Sequence, residues 1–315
     1  MPKFKIRHIT KYAYEDTVRD SANQIMLYPL KDLYQEVLQQ NIAITGNPVV
    51  NVHRDYYGNE VGTFTHAHPH KELSIDSRLL VETKYRPEPE DTTAQDVQWA
   101  ELEKVKNKIE FIDFLNLEKF EVLPEVEKLI EIERRKNCSP LQAAKDLCEF
   151  TFKEFSYQKG ITTVETTVDE IWKIRSGVCQ DFAHIFLVIL RLMGIPARYV
   201  SGYVCPNQDG MRGEGATHAW VEAYIPFYGW LGLDPTNNCI ANDTHVRLAV
   251  GRNFSDCSPV KGTYRGTSSH TLEVAVTVSY EDGRTSIPDH DIQPGAVTSS
   301  PKNSFRRFQE MQMQQ

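Results

Sequence analysis

Three residues far apart in the chain, Cys179, His218 and Asp234, are the types needed for a thiol nucleophile, the base that serves it and the carboxylate that orients the base. Cys179 stands in "RSGVCQDFAHIF" (175–186), where a turn containing glycine runs into a strongly apolar segment. A cysteine in the first turn of a helix meets the partial positive charge of that terminus, which favours thiolate over thiol. Gly177 permits a tight approach there, and Asp181 is a residue type that suits a helix start. On the same residues, Cys179 could instead pack as a small hydrophobe or bind a metal.

His218 and Asp234 both come from "THAWVEAYIPFYGWLGLDPTNN" (217–238). Along a strand, His218, Trp220, Glu222 and Tyr224 share one face, and Ala219, Val221, Ala223 and Ile225 share the other. A hairpin centred near Pro226 sets His218 opposite Asp234, although a bulge at "FYG" would shift that register. The carboxylate can then accept one ring N–H, leaving the other nitrogen for a thiol. Trp220 and Tyr224 become candidates for lining a substrate cleft. The competing reading is zinc, since Cys179, His184, His218 and Asp234 are all acceptable ligands. Against it, His184 falls about 140° around the helix from Cys179 and points to a different face, so it reads as structural. No metal or other cofactor is expected. In "THAHPHK", His66, His68 and His70 alternate; Pro69 disfavours a regular strand, and a solvated loop is preferred to a metal site.

These residues need elements to hold them. After Cys179, the apolar residues Phe182, Ile185, Phe186, Ile189, Leu190 and Met193 follow one helical face, and Gly194 with Pro196 supplies the stop. Residues 122–156 read as two helices interrupted at "NCSP", with Ser139 as cap and Pro140 in the first turn. Strands follow in "ARYVSGYV", "THAWVEAYI", "GWLGLDP", "HVRLAVG" and "TLEVAVTVSY". The front of the chain is β-rich, with strands expected at 4–9, 37–44, 48–55, 59–65 and 78–84, and the pattern changes at the Pro- and Glu-rich stretch near 86–95. Helices followed by strands predict an α+β core rather than a doubly wound sheet.

At 315 residues with 40% hydrophobic and 25% charged content, the chain has the composition of a globular protein of one large or two medium domains. A net charge of −8 argues against a nucleic-acid partner. The charged start "MPKFKIRHITKYAYED" does not read as a secretory signal, and no run approaches a membrane span. A cytoplasmic location is therefore expected, with the six cysteines as free thiols and none arranged as CxxC.

"GVCQDFAHIFLVILRLMGIPARYVSGY" together with the segment from "THAWVEAYI" to "LDPTNN" resembles the core of the transglutaminase-like superfamily, which has a papain-like α+β fold. "HITKYAYEDTVRDSANQIMLYP" and "DYYGNEVGTF" are similar to the β-rich N-terminal domain that accompanies this core in bacterial members. The resemblance implies a β-rich domain over 1–93, a catalytic core over 94–288 and, outside it, a tail over 289–315 with few apolar residues to order it. It implies Cys179 as nucleophile, His218 as general base and acid, and Asp234 as orienter. The reaction it implies is acyl transfer or hydrolysis on peptide or glutamine-type amides through a thioester. A peptidase or amidase is favoured over a crosslinking transglutaminase or a binding module that has lost catalysis. The partners would be a peptide or protein amide and an amine or water acceptor, with no membrane involved. The backbone N–H of Cys179 is one candidate oxyanion donor, and Tyr157 or Gln158 in "FSYQKG" is a candidate for the second. Asn253 in "GRNF" stands where bacterial relatives commonly carry Asp, which leaves the triad untouched.

Overall fold

The computed structural model describes residues 1–117, 120–121, 123–135, 137–205, 211–212, 217–266, 268–283 and 297–298. The front strands are β1 (Lys3–Ile25), β2 (Gln35–Ile44), β3 (Asn51–Arg54), β4 (Glu60–His66) and β5 (His70–Thr83). Helices α1 (Gln95–Val105), α2 (Ile109–Leu115), α3 (Leu123–Arg135) and α4 (Pro140–Glu154) follow, then β6 (Ser156–Tyr157), α5 (Val168–Ile174) and β7 (Ser176–Gly177). Next come α6 (Cys179–Met193) and strands β8 (Ala197–Val204), β9 (His218–Ile225), β10 (Gly229–Asp234), β11 (Cys239–Ile240) and β12 (His245–Gly251). The last described elements are α7 (Phe254–Cys257), β13 (Val260–Arg265), β14 (His270–Tyr280) and β15 (Val297–Thr298).

The apolar segment after Cys179 is helix α6, and its expected face is buried throughout. Gly194 takes the left-handed conformation at φ 88° that ends it. The helix packs on the Ala219, Val221, Ala223 and Ile225 face of β9, and α4 and α5 pack around it, making one core. Its floor is a five-stranded antiparallel sheet in the order β11-β10-β9-β8-β12, so the papain-like α+β architecture is present. The break at "NCSP" is as expected: Ser139 Oγ accepts from Gln142 N at 3.2 Å, and Pro140 opens α4.

The front strands differ from expectation in length. β1 runs for 23 residues, not six, and its charged middle gave little periodic signal. It persists because other strands hydrogen-bond to both of its edges. Its first half pairs with β5 and β14, and after an irregularity at 13–18 its second half pairs with β4 and β13. β5 begins at His70, well before the expected 78, and β3 covers only 51–54. The "THAHPHK" segment is not one solvated loop: His66 ends β4 and His70 opens β5, so only 67–69 connect the strands. There His70 Nδ1 lies 2.8 Å from the His68 carbonyl, and the His66 and His70 rings sit 4.3 Å apart.

The expected division at 93/94 marks the change from strands to helices, but sheet pairing does not respect it. β13 and β14, inside the expected 94–288 core, complete the front sheet by pairing with β1. Open edges on a long central strand are otherwise a site for unwanted pairing, and the returning chain covers them. The interior is shared as well: Tyr203, Val246 and Leu248 of the second sheet pack with Phe4, Ile75 and Val81 of the first. Two side-chain amides then dock on edge strand β12. Gln35 binds the N–H and C=O of Arg247 at 2.8 and 2.9 Å, and Asn59 binds those of Val250 at 2.8 Å each. The expected tail at 289–315 lies outside the described residues apart from β15, which pairs with β14. Among the described residues, no helix is long and apolar enough to cross a membrane.

Candidate active site

Cys179 is the first residue of α6 and is buried. Asp181 fixes the helix start, because its Oδ2 accepts from Val178 N and from Thr162 Oγ1, each at 2.7 Å. Burial pushes the Asp181 carboxyl up, against these two hydrogen bonds. Gly177 is required at its position, since a Cβ there would collide with the Asp181 carboxylate. The short parallel pair β6–β7 sets Tyr157 beside Gly177. The result is a helix N-terminus aimed at the thiol, with first-turn N–H groups that the helix itself does not use.

His218 opens β9 and Asp234 closes β10, at the same end of the sheet. The register differs from expectation by two residues: the hairpin is centred on Phe227, so Leu233 pairs with Val221 and Asp234 falls beside Trp220. The turn absorbs the extra length with Phe227 at φ 66° and Gly229 at φ 97°. A two-residue shift preserves the face, so His218 still meets the carboxylate diagonally, with Nε2 2.7 Å from Asp234 Oδ2. The other ring nitrogen, Nδ1, is buried and has no hydrogen-bond partner among the described residues apart from Cys179.

Five donors converge on Asp234. Oδ1 accepts from the N–H of Thr236 at 2.8 Å and of Asn237 at 3.3 Å. Oδ2 accepts from His218, from Asn237 Nδ2 at 2.7 Å and from His245 Nε2 at 3.3 Å. Burial alone would favour the neutral carboxyl, but the charge and hydrogen bond of His218, with the hydrogen bond of His245, hold Asp234 well below the usual carboxylate range. Burial likewise opposes a charged His218. The charge and hydrogen bond of Asp234, joined by Cys179, outweigh it and push the imidazole up to about 10. A charged imidazolium between a carboxylate and a thiol is the arrangement that stabilises a thiolate.

Tyr157 is half-buried and feels the charge of Cys179; burial first, then that charge, pushes its phenol up to about 12, so it stays a donor at neutral pH. The side chain of Gln158 is exposed, while its backbone N–H is spent on the Gly177 carbonyl at 2.9 Å. Trp220 borders a small pocket with Glu222, Trp230, His245 and Arg247, a lining that does not include Cys179. It is buried against Val200, Val250 and the ring of His245, and it stacks 6.1 Å from His218 as a wall of the site. Tyr224 lies at the far end of β9, packed 4.6 Å from Phe111 and 5.6 Å from Trp230. Glu222, on the same face, is buried in ion pairs with Arg198 and Arg247. His184 accepts from Phe254 N at 3.2 Å and so belongs to the scaffold. Asn253 caps α7, accepting from Ser255 N at 3.0 Å. All six cysteines are free thiols.

His245 is the residue that the sequence did not reveal. Its one signal was its place at the start of a strand, which becomes informative only once β12 is known to start at the end of the sheet where β9 starts and β10 stops. His218, Asp234 and His245 present ligand atoms within 4.8 Å of one another and, among the described residues, form the group that could hold a cation.

Comparison with known proteins agrees with this architecture. Residues 131–235, which hold all three candidate catalytic residues, match the family model described as "Transglutaminase-like superfamily", and residues 4–82 match "Bacterial transglutaminase-like N-terminal region". An uncharacterized protein of Mycobacterium leprae, ML0607, is 32% identical over 287 residues, covering 89% of this chain and 99% of that one. A 101-residue stretch is 35% identical to a protein of Pseudomonas aeruginosa named protein-glutamine gamma-glutamyltransferase, covering 29% of this chain and 14% of that one. The crystal structure of a Cytophaga hutchinsonii protein titled "Putative Cysteine Protease" superposes with a TM-score of 0.73 at 21% identity, over 95% of this chain and 98% of that one. With family models matching residues 4–82 and 131–235 and a relative 32% identical over 89% of the chain, the chain belongs to the transglutaminase-like superfamily.

Proposed function

We propose that this protein is a cysteine-dependent acyl-transfer enzyme acting on peptide or protein amides, with Cys179, His218 and Asp234 as its triad. The observation that carries this reading is the division of labour on one imidazole. Its Nε2 is committed to Asp234, while its buried Nδ1 has no partner apart from Cys179, which acts on the ring by hydrogen bond and then by charge. In the first half-reaction the Cys179 thiolate attacks the amide carbonyl carbon and a C–S bond forms. The C–N bond breaks as His218 gives its proton to the departing ammonia or amine. In the second half, His218 takes a proton from water, the resulting hydroxide equivalent attacks the thioester, and the C–S bond breaks to return the thiolate and release the acid. The Cys179 N–H and the Tyr157 hydroxyl are the donors we assign to the oxyanion, in preference to Gln158.

Water needs no binding site of its own, so hydrolysis by a peptidase or amidase is the favoured outcome. The similarity to a protein named as a glutamyltransferase supports transfer to an amine as the second reading. Incubating the protein with a mixed peptide library, with and without a primary amine, separates the two by mass. Replacement of ammonia by water is deamidation, shorter peptides are proteolysis and an amine adduct is transamidation. Each product must vanish in Cys179→Ala; a library unchanged under every condition would overturn the proposal.

A further inference from the structure

The Asp234 carboxylate serves two imidazoles on one oxygen, and only one of them belongs to the proposed triad. His245 lies three strands away from Asp234 in sheet order, yet its Nε2 reaches Oδ2 at 3.3 Å. The curvature of the sheet makes this crossing feasible. Gly202, on the intervening β8, leaves room for the Trp220 ring, which meets His245 edge-on at 5.1 Å. The other nitrogen, Nδ1, lies 3.1 Å from Thr244 Oγ1. With the hydroxyl donating to Nδ1, the proton of a neutral imidazole sits on Nε2 and points at the carboxylate. Both His245 and Asp234 are buried. The charged or titratable groups acting on His245 are Asp234, His218 and Asp243.

We infer that His245 is a positioning residue of the active site: a neutral donor that holds Asp234 Oδ2 where the His218 Nε2–H must find it. This rests on the function proposed above. Asn237 Nδ2 and the two turn N–H groups bind the carboxylate from its own loop, so they move with it. His245 is the donor that ties it to the opposite edge strand. Without that tie Asp234 can turn with its loop, the imidazolium loses its counter-charge, and the thiolate loses its partner.

The test is acylation of Cys179 by p-nitrophenyl acetate, followed as nitrophenolate release across pH, in wild type, Cys179→Ala, His245→Phe and His245→Gln. Phe keeps the ring that packs on Trp220 but has no donor, and Gln restores an N–H. The rate constant in His245→Phe should fall about 10–100-fold, the usual cost of losing a group that orients a reactive residue. His245→Gln should recover most of the lost rate. If His245→Phe does not fold, His245→Asn, too short to reach Asp234, replaces it in the comparison with Gln. A variant without a donor that keeps the wild-type rate overturns the inference while leaving the triad standing. Acylation that does not depend on Cys179 in wild type overturns the triad itself. Stoichiometric metal in the wild type that departs in His245→Gln also overturns the inference, because it makes His245 a ligand.

Discussion

At the scale of single residues, the site is governed by a buried charge pair with opposed titrations. Asp234, held below its ordinary 3.8, contributes stability that is present above that value and lost as pH falls past it. His218, raised from 6.5 to about 10, contributes stability that is complete below 6.5 and lost as pH climbs through about 10. The pair therefore contributes most between these limits. Asp234→Asn should destabilise the protein by about 3–5 kcal/mol near pH 5–6, the usual cost of breaking a buried pair. That difference should shrink below pH 4 and towards pH 10, as read from urea melts of both proteins. The same variant should slow Cys179 acylation by about 10⁴-fold, because an amide can no longer fix the tautomer of His218. Cys179, His218 and Asp234 could be picked as candidates from the sequence because three complementary residue types stand in motifs that resemble one family. His245 could not, since a histidine opening an apolar strand carries no sign of which carboxylate it will meet. Tyr224 shows the opposite failure: alternation assigned its face correctly but not what covers it.

Among the elements, the start of α6 does the positioning. Its sequence signal was strong, because the apolar spacing and the Gly194 stop specify a buried helix without reference to anything else. The detail that matters is smaller: Asp181 ties Val178 and Thr162 to the first turn, and only glycine leaves it room. Gly177→Ala should cost about 1–3 kcal/mol by overpacking. Acylation of Cys179 should fall by about 10²-fold, since a small displacement of a reacting atom is enough for that. Comparing the denaturation midpoint with the acylation rate checks both numbers. The β9–β10 hairpin shows how far strand patterning reaches. Alternation put His218 and Asp234 on one face, but the register depended on backbone conformations in the turn, Phe227 among them, that residue type alone does not announce.

For the whole molecule, the break in composition near residue 90 marks a change of secondary structure and not a clean cut between independent parts. β1 needs β13 and β14, which arrive more than 230 residues later, and no local pattern in the sequence records such a pairing. The five-stranded sheet depends in turn on the front strands, because Gln35 and Asn59 occupy the open edge of β12. Asn59→Ala would leave the N–H and C=O of Val250 buried without partners. A loss of about 2–4 kcal/mol is expected from denaturant melts, although Asn59 lies far from the chemistry in sequence. A variant as stable as wild type would mean that the two sheets do not rely on this joint.

The central claim, that Cys179 is an activated thiolate held by His218 and Asp234, is tested most directly by the pH dependence of iodoacetamide alkylation at each cysteine, mapped by peptide mass. Burial raises the pKa of Cys148, Cys205, Cys239 and Cys257, so these thiols should stay slow. Cys179 should react first at neutral pH, and His218→Ala should abolish that advantage. Reaction at Cys179 no faster than at the other thiols, or unchanged by His218→Ala, would contradict the account.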